Sequence, residues 1–263
     1  MRLITWSFKR QIIYIFILVL IFSFFGFLII YPFFSKEPTC TDNKQNGNET
    51  GVDCGGSCAR ACSTQVSDLS VLWARAFRVV PGHYNAVAYL TNHNQSVAIK
   101  KINYRFRFAD AKNVYIGKRE GSTFIPPGGN FAVFEPGIGI GYSIPVYVTF
   151  EFTEAPEWLQ VPQTKLDQLK VLISNIQLSD EATFPKLSAA IRNTSLFTIP
   201  NVNIIVILYD ASGNAISTSR TFLTKLAPLQ NTDINFTWQE PFPSPVVARE
   251  IIPMYDVFSA KLE

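Results

Sequence analysis

The sequence predicts a mainly β protein, with two tandem β-sandwich domains and one N-terminal transmembrane helix. Three observations support this fold class. An uncharged run occupies residues 12–34, a pattern of about 100 residues occurs twice in the remainder, and apolar and polar residues alternate within each copy. The aromatic content of 14% and the 16 prolines suit a β-rich protein with many turns.

The transmembrane helix is predicted from residues 12–34, where 18 of the 23 residues are Ile, Leu, Val or Phe. As a helix this run is roughly 34 Å long, enough to cross a hydrocarbon core of ~30 Å. Membrane insertion is favoured by about 7 kcal/mol, because each strongly apolar residue contributes roughly 0.4 kcal/mol. A buried core helix is an alternative, but the length of the run and its lack of a polar face argue against it.

The flanking charges predict that residues 1–11 form a cytoplasmic tail and that the rest of the chain is extracytoplasmic. Arg2, Lys9 and Arg10 precede the run, whereas Lys36 and Glu37 cancel each other after it. Because short basic flanks are retained in the cytoplasm, we expect a signal-anchor that crosses the lipid bilayer of the cell membrane once. A cleaved signal peptide is the competing interpretation, although its apolar region usually spans only ~7–15 residues.

The charge balance argues against a nucleic-acid partner. Three of the 23 basic residues lie in the tail, and all 20 acidic residues follow the run, so the exported part balances at 20 against 20. With such a balance there is no excess of positive charge to attract nucleic acid or an anionic surface.

The four cysteines, Cys40, Cys54, Cys58 and Cys62, lie in residues 35–65, which we predict to be a disulfide-bonded stalk. This segment has too little apolar content to bury a core, and in an oxidising compartment two disulfides would hold it. Three connectivities are possible, and the sequence does not choose among them. A four-thiolate zinc site is the alternative, but the spacings of 13, 3 and 3 residues do not fit a zinc ribbon.

Calcium is a second hypothesis for the same segment. Asp42 to Asp53 spans 12 residues, with Asn46 fifth and Gly47 sixth, as in an EF-hand loop. Lys44, however, occupies the third ligand position, and cysteines stand where the flanking helices would be. Turn-forming residues in a solvated loop explain this composition more simply, so we expect no cofactor.

The stretch of residues 40–62 resembles a small cysteine-rich motif of bacterial surface proteins. The motif has the pattern C-x-D-x-x-x-N-G-x-E-T-x-x-D-C-G-G-x-C-x-x-C, and this chain has one extra residue before the last cysteine. In such proteins the motif is a spacer beside other domains. The resemblance therefore implies a spacer, with no catalytic role.

The rest of the chain repeats itself. Val71 recurs as Val171, and Asn92 recurs as Asn193, with further matched positions at offsets of 100 to 102 residues. Because this period is too long for a solenoid unit, the copies are predicted to be tandem domains. The predicted borders are 66–153 for domain 1, 154–167 for a linker with Trp158 at the domain junction, and 168–263 for domain 2.

Each copy has the alternation of β-strands. Residues Tyr104, Phe106 and Phe108 lie on one face, and Arg105 and Arg107 lie on the other, which is typical of a half-buried strand. The matching strand of the second copy has apolar residues on both faces, so we expect it to be buried more completely. These residues are Val202, Ile204, Val206 and Leu208 on one face, with Ile205 and Ile207 opposite. Several such strands within about 90 residues indicate a β-sandwich.

The second copy resembles the FxLYD-type domain, a small immunoglobulin-like sandwich of exported bacterial and archaeal proteins. The resemblance is carried by residues 190–193, 206–210 and 226–228; in the first copy, Phe106 keeps the name-giving phenylalanine and Ala109 replaces the tyrosine. It implies two tandem immunoglobulin-like β-sandwich domains in a prokaryotic protein. Because its motifs are core and turn residues, it implies a fold and carries no activity with it.

The sequence lacks a recognisable catalytic set, and we expect no enzyme. The histidines are His83 and His93, and no nucleophile motif accompanies either one. We expect a membrane-anchored extracytoplasmic binding or scaffold protein that meets an unknown protein or polymer of the cell envelope. The alternatives are an accessory subunit of an envelope or secretion complex, or a hydrolase that uses carboxylates or the two histidines.

Overall fold

The computed structural model describes residues 6–34 and 39–262 and is mainly β. The predictions that fall on residues 1–5 of the tail and 35–38 of the stalk lie outside the described residues. The N-terminal helix, α1, spans Trp6–Phe34 and so begins six residues before the predicted run. None of its apolar segment, Phe8–Ile30, is buried against the rest of the described chain. This exposure argues against a core helix and fits a membrane anchor or a signal sequence.

The first copy forms a sandwich of two antiparallel sheets, in which β2 lies between β1 and β5, and β3 lies between β4 and β6. A short strand, β7, also pairs with the beginning of β3. The strands are β1 (Ser70–Val80), β2 (His83–Asn92), β3 (Val97–Ala109), β4 (Tyr115–Ile125), β5 (Gly129–Gly139), β6 (Tyr147–Phe152) and β7 (Leu159–Gln160).

The second copy repeats these pairings strand for strand. Here β9 lies between β8 and β12, β10 lies between β11 and β13, and β14 pairs with the beginning of β10. The strands are β8 (Val171–Ser179), β9 (Lys186–Asn193), β10 (Phe197–Tyr209), β11 (Ala215–Leu226), β12 (Asn231–Thr237), β13 (Ala248–Met254) and β14 (Lys261–Leu262). The β-sandwich fold predicted from the alternation is thus confirmed in both copies.

The two sandwiches pack face to face. The β1–β2–β5 sheet uses one face for its own sandwich core and the other for the β10–β11–β13 sheet of the second copy. On β10, Ile205 and Ile207 join the core cluster of the first copy, whereas Val206 and Leu208 join that of the second. The prediction that this strand is buried on both faces is therefore confirmed, and a neighbouring domain covers its second face.

The cysteines form two disulfides, Cys40–Cys58 and Cys54–Cys62. The cysteine-rich segment packs against domain 1, since the Ala61 N–H donates to the carbonyl oxygen of Trp158 at 2.9 Å. The Gln160 N–H likewise donates to the carbonyl oxygen of Ala59 at 2.7 Å. The predicted stalk is thus docked on the sandwich along residues 59–61.

The predicted linker, residues 154–167, is not a simple spacer. It contains β7 and the beginning of a short helix, α2 (Gln163–Gln168), and Trp158 is buried in the core cluster of the first copy. Pro156 and Pro162 lie on either side of β7, which is hydrogen-bonded to β3. The strand β7 could not be predicted, because two paired residues are too few to leave a periodic pattern in the sequence.

Candidate binding surfaces

Three connections meet at one end of the first sandwich: the β1–β2 turn, the β3–β4 turn and the β5–β6 loop. The Ile140 N–H donates to the carbonyl oxygen of Gly82 at 3.3 Å, which ties the β5–β6 loop to the first turn. The Val146 N–H donates to the carbonyl oxygen of Ala109 at 2.9 Å, which ties the same loop to the end of β3. Gly141 has a φ of 62°, a left-handed conformation that favours glycine.

This end of the sandwich exposes large apolar side chains, which we call the distal loop cluster. Its members are Val114, Tyr115, Tyr142, Ile144, Val146 and Tyr147, each at least half exposed. Tyr115 and Tyr147 flank Ala109 on its two neighbouring strands, and Tyr142 is fully exposed at the loop tip (108%). Contiguous exposed apolar surface in a folded domain marks an interaction site.

The distal loop cluster lies far from the point where the chain enters the sandwich. The chain enters at Ser70, which pairs with Thr91 at the opposite end of β2 from the cluster. β3 has 13 residues and runs between the two ends, which corresponds to roughly 40 Å. A partner could therefore reach the cluster without meeting the cysteine-rich segment.

The outer face of the β3–β4–β6 sheet is charged. Arg105 contacts Glu120 at 2.7 Å and Glu151 at 3.2 Å, and Arg107 contacts Glu151 at 3.1 Å. The hydrogen bond from Arg105 lowers the pKa of the Glu120 carboxyl below its usual value. Because these groups are exposed, or in the case of Arg105 partly exposed, the pairs contribute little to stability, and they form a solvated face beside the distal loop cluster.

A cleft of about 510 Å³ opens between the two sandwiches. Arg78 of β1 bonds Glu240 at 2.8 Å across it, so each copy supplies one member of this ion pair. Trp238 and Phe242 form part of its wall, with their ring centroids 5.2 Å apart in an edge-to-face arrangement. The Trp238 indole N–H donates to the carbonyl oxygen of Thr218 at 3.2 Å, which fixes the ring orientation.

A polar network joins the sandwiches away from this cleft. The Glu250 carboxylate accepts hydrogen bonds from the hydroxyls of Tyr89 at 2.8 Å and Tyr209 at 3.0 Å. Burial, followed by the hydrogen bond to Glu250, raises the pKa of Tyr89 to about 12. Burial and the charge of Glu250 also raise the pKa of Tyr209. The carboxylate thus holds one tyrosine from each copy in its protonated, donating form.

The residues named for calcium are engaged with one another and with the backbone. The Asp53 carboxylate accepts from the backbone N–H groups of Asp42 and Asn43, at 3.0 to 3.1 Å. The Asp42 carboxylate accepts from the Lys44 N–H at 3.0 Å and from Asn46 Nδ2 at 2.8 Å. The bonds of Asp42 are local turn bonds, whereas those of Asp53 join the two ends of the loop.

The two histidines do not meet. His83 begins β2 and His93 follows its end, so the strand separates them. His93 Nε2 lies 2.9 Å from Ser70 Oγ at an exposed position. No carboxylate of the described residues pairs with His93, so the orienting acid of a serine–histidine–acid triad is missing from the part of the chain that the structure describes.

Sequence reasoning missed the distal loop cluster and the cleft. The signal for the first was present, because residues 142–147 hold four apolar residues beside a glycine-rich loop. Apolar loop residues and apolar strand residues have the same composition, so only the three-dimensional placement separates them. The cleft left no local signal, since Arg78 and Glu240 are 162 residues apart.

No family model matches the chain, and no curated protein matches it. Among solved structures, red sea bream transglutaminase is similar to 73% of the chain, at 11% identity and a TM-score of 0.24. A β-glucuronidase of glycoside hydrolase family 2 is similar to 84% of it, at 8% identity and a TM-score of 0.22. In each case the similar region spans 29% of the solved chain.

Proposed function

We propose that this protein is a single-pass, membrane-anchored extracytoplasmic binding or scaffold protein of the cell envelope, built from two FxLYD-type domains. The unburied apolar helix supports the anchor, and Lys9 and Arg10 at its N-terminal end support a cytoplasmic N-terminus. The two disulfides support an oxidising compartment for the rest of the chain.

The distal loop cluster is the observation that carries the binding function. Burying its apolar side chains against a partner would remove them from water, and each Å² of apolar surface buried contributes about 25 cal/mol. Lys112 lies in the adjacent β3–β4 turn, exposed and without an ion pair among the described residues. The partner that fits this surface is an envelope protein with an apolar patch bordered by acidic side chains.

A crosslinking experiment tests this proposal. The full-length protein, carrying a photo-crosslinking residue in place of Tyr142, is irradiated in membranes of the native host and purified in mild detergent. We expect one stoichiometric protein adduct, identified by mass spectrometry. Because Ile144 is 62% exposed, adding Ile144→Ser should leave folding intact and abolish the adduct.

The control is a matched change at exposed apolar positions elsewhere. Leu172 and Phe184, on the second sandwich, are 55% and 71% exposed, and the double variant Leu172→Ser, Phe184→Ser should retain the adduct. An adduct that survives Ile144→Ser, or none at all, would refute the distal loop cluster as the binding surface. A partner that copurifies in fixed ratio with the native protein would favour an accessory subunit over a scaffold that acts alone.

A further inference from the structure

The interdomain cleft has the size of a small-molecule site. Its volume of about 510 Å³ falls within the range of ~300–1,000 Å³ that ligand sites occupy, and such sites often lie between domains. Both copies contribute to it, with Arg78 and Asn85 from the first and residues 216–219 and 237–243 from the second. The cleft therefore exists only because the two sandwiches are packed together.

The charged groups of the cleft balance each other, and several of its polar atoms have no hydrogen-bond partner among the described residues. Arg78 Nε and Nη2 both donate to Glu240 Oε2, which leaves Arg78 Nη1 and Glu240 Oε1 without a hydrogen-bond partner among the described residues. Gln239 has no side-chain hydrogen bond among the described residues, and Asn85 uses only its Oδ1, which accepts from the Gly137 N–H at 3.1 Å. The cleft thus offers both donors and acceptors, with no net charge to attract an ion.

One part of the remaining wall is aromatic and proline-rich, beside the hydroxyl residues Ser217, Ser219 and Thr237. Trp238 and Phe242 are half-buried, and Pro241 and Pro243 flank Phe242. The Trp238 ring is held by its bond to the Thr218 carbonyl oxygen, and proline fixes φ near −65°. Aromatic faces of this kind suit the C–H faces of a sugar ring, while the planar amide of the exposed Gln239 suits its paired hydroxyls.

We infer that this cleft binds a neutral saccharide. A sugar ring presents an apolar C–H face and a rim of hydroxyls that both donate and accept, which matches the aromatic wall and the uncommitted polar groups. An anionic ligand is a poorer match because Glu240 neutralises Arg78. A purely apolar ligand would leave the polar groups of the cleft buried and unpaired, which is unfavourable.

Calorimetry with the full-length protein in detergent tests this assignment. The probes are four neutral tetrasaccharides: chitotetraose, cellotetraose, maltotetraose and mannotetraose. We expect at least one of them to bind, and we expect Gln239→Ala to weaken that binding about fivefold or more, since it removes both amide hydrogen-bonding groups. Arg78→Ala should weaken it to a similar extent, because it removes one donor and releases Glu240.

A control variant outside the cleft tests whether the loss of saccharide binding is specific to the cleft. Gln177 is exposed on β8 of the second sandwich, and Gln177→Ala should leave the affinity unchanged. If none of the four sugars binds at millimolar concentration, or if binding is unchanged in both Gln239→Ala and Arg78→Ala, the assignment is wrong. Neither result depends on the distal loop cluster.

Discussion

Asn92 and Asn193 occupy the same position in the two sandwiches, 101 residues apart, and both are completely buried. Asn92 Nδ2 donates to the carbonyl oxygens of Val97 and Pro126, at 3.1 and 2.8 Å. Asn193 Nδ2 donates to those of Phe197 and Ala227, at 2.7 and 2.9 Å. Each side chain thus ties the start of the third strand of its copy to the segment after the fourth.

Replacing either asparagine with alanine should destabilise its sandwich by about 2–3 kcal/mol. The change leaves at least two carbonyl oxygens without this donor, at least one of them buried, and an unsatisfied buried group costs about 1–3 kcal/mol. Thermal unfolding of the full chain in detergent, followed by near-ultraviolet circular dichroism, measures the loss. Asn235→Ala is the control, since that side chain is exposed on β12 and its removal should change stability by less than ~0.5 kcal/mol. If all three variants changed the free energy of unfolding equally, the buried asparagines would have no special role in joining the strands.

The repeat explains why much of the fold could be predicted. Asp110 and Asp210 lie 100 residues apart, within the range of repeat offsets, and each carboxylate accepts from the backbone N–H groups two and four residues later. Period-two alternation correctly placed Phe106 inside and Arg105 outside. Local patterns succeed here because side-chain direction in a strand is fixed by the backbone.

The contacts between separate strands, loops and domains could not be predicted in the same way. The apolar second face of β10 showed that Ile205 and Ile207 would be covered, yet nothing in that strand specifies the sheet that covers them. The disulfide pairing is a similar case, since four cysteines in a short segment allow three connectivities. The candidate binding surfaces share this property, because they depend on how loops and domains are brought together.

Peptide mapping should find the disulfides Cys40–Cys58 and Cys54–Cys62. The full chain is alkylated without reduction, digested and analysed by mass spectrometry, and we expect all four thiols to be protected in membranes of the native host. Closing loops of 18 and 8 residues stabilises a segment by about 3 and 2.5 kcal/mol in the chain-entropy model. Rapid alkylation of all four cysteines in intact membranes would contradict the extracytoplasmic placement.

Alkaline pH should loosen the interface between the sandwiches. The folded-state pKa of Tyr89 is raised from 10.0 to about 12, so the folded protein keeps a proton that the unfolded chain loses. Its contribution to stability is therefore complete below pH 10 and is lost as the pH rises through about 12. Denaturant unfolding at several pH values measures the decline, which should be shallower in Tyr89→Phe. Tyr142→Phe, at a fully exposed position, should leave the slope unchanged; an equal change in both variants would refute the role of Tyr89.

The two sandwiches should unfold as one cooperative unit, because their interface is part of a continuous apolar core. Ile207 is fully buried in the cluster that contains Val87 and Phe134 of the first copy. Ile207→Ala should cost about 2–4 kcal/mol, as expected for a buried large-to-small change, and should keep a single transition. Ile207→Asp places a charge in the same contact, and the uncompensated burial of that charge should separate the domains and split the transition in two.

The control for this interface is Leu172→Ala, at a position that is 55% exposed on the second sandwich. Leu172→Ala should change the free energy of unfolding by less than ~0.5 kcal/mol. Differential scanning calorimetry on the full-length protein in detergent distinguishes one transition from two. If the unmodified protein already unfolds in two independent steps, the interface contributes little, and the interdomain cleft would not be held in a fixed shape.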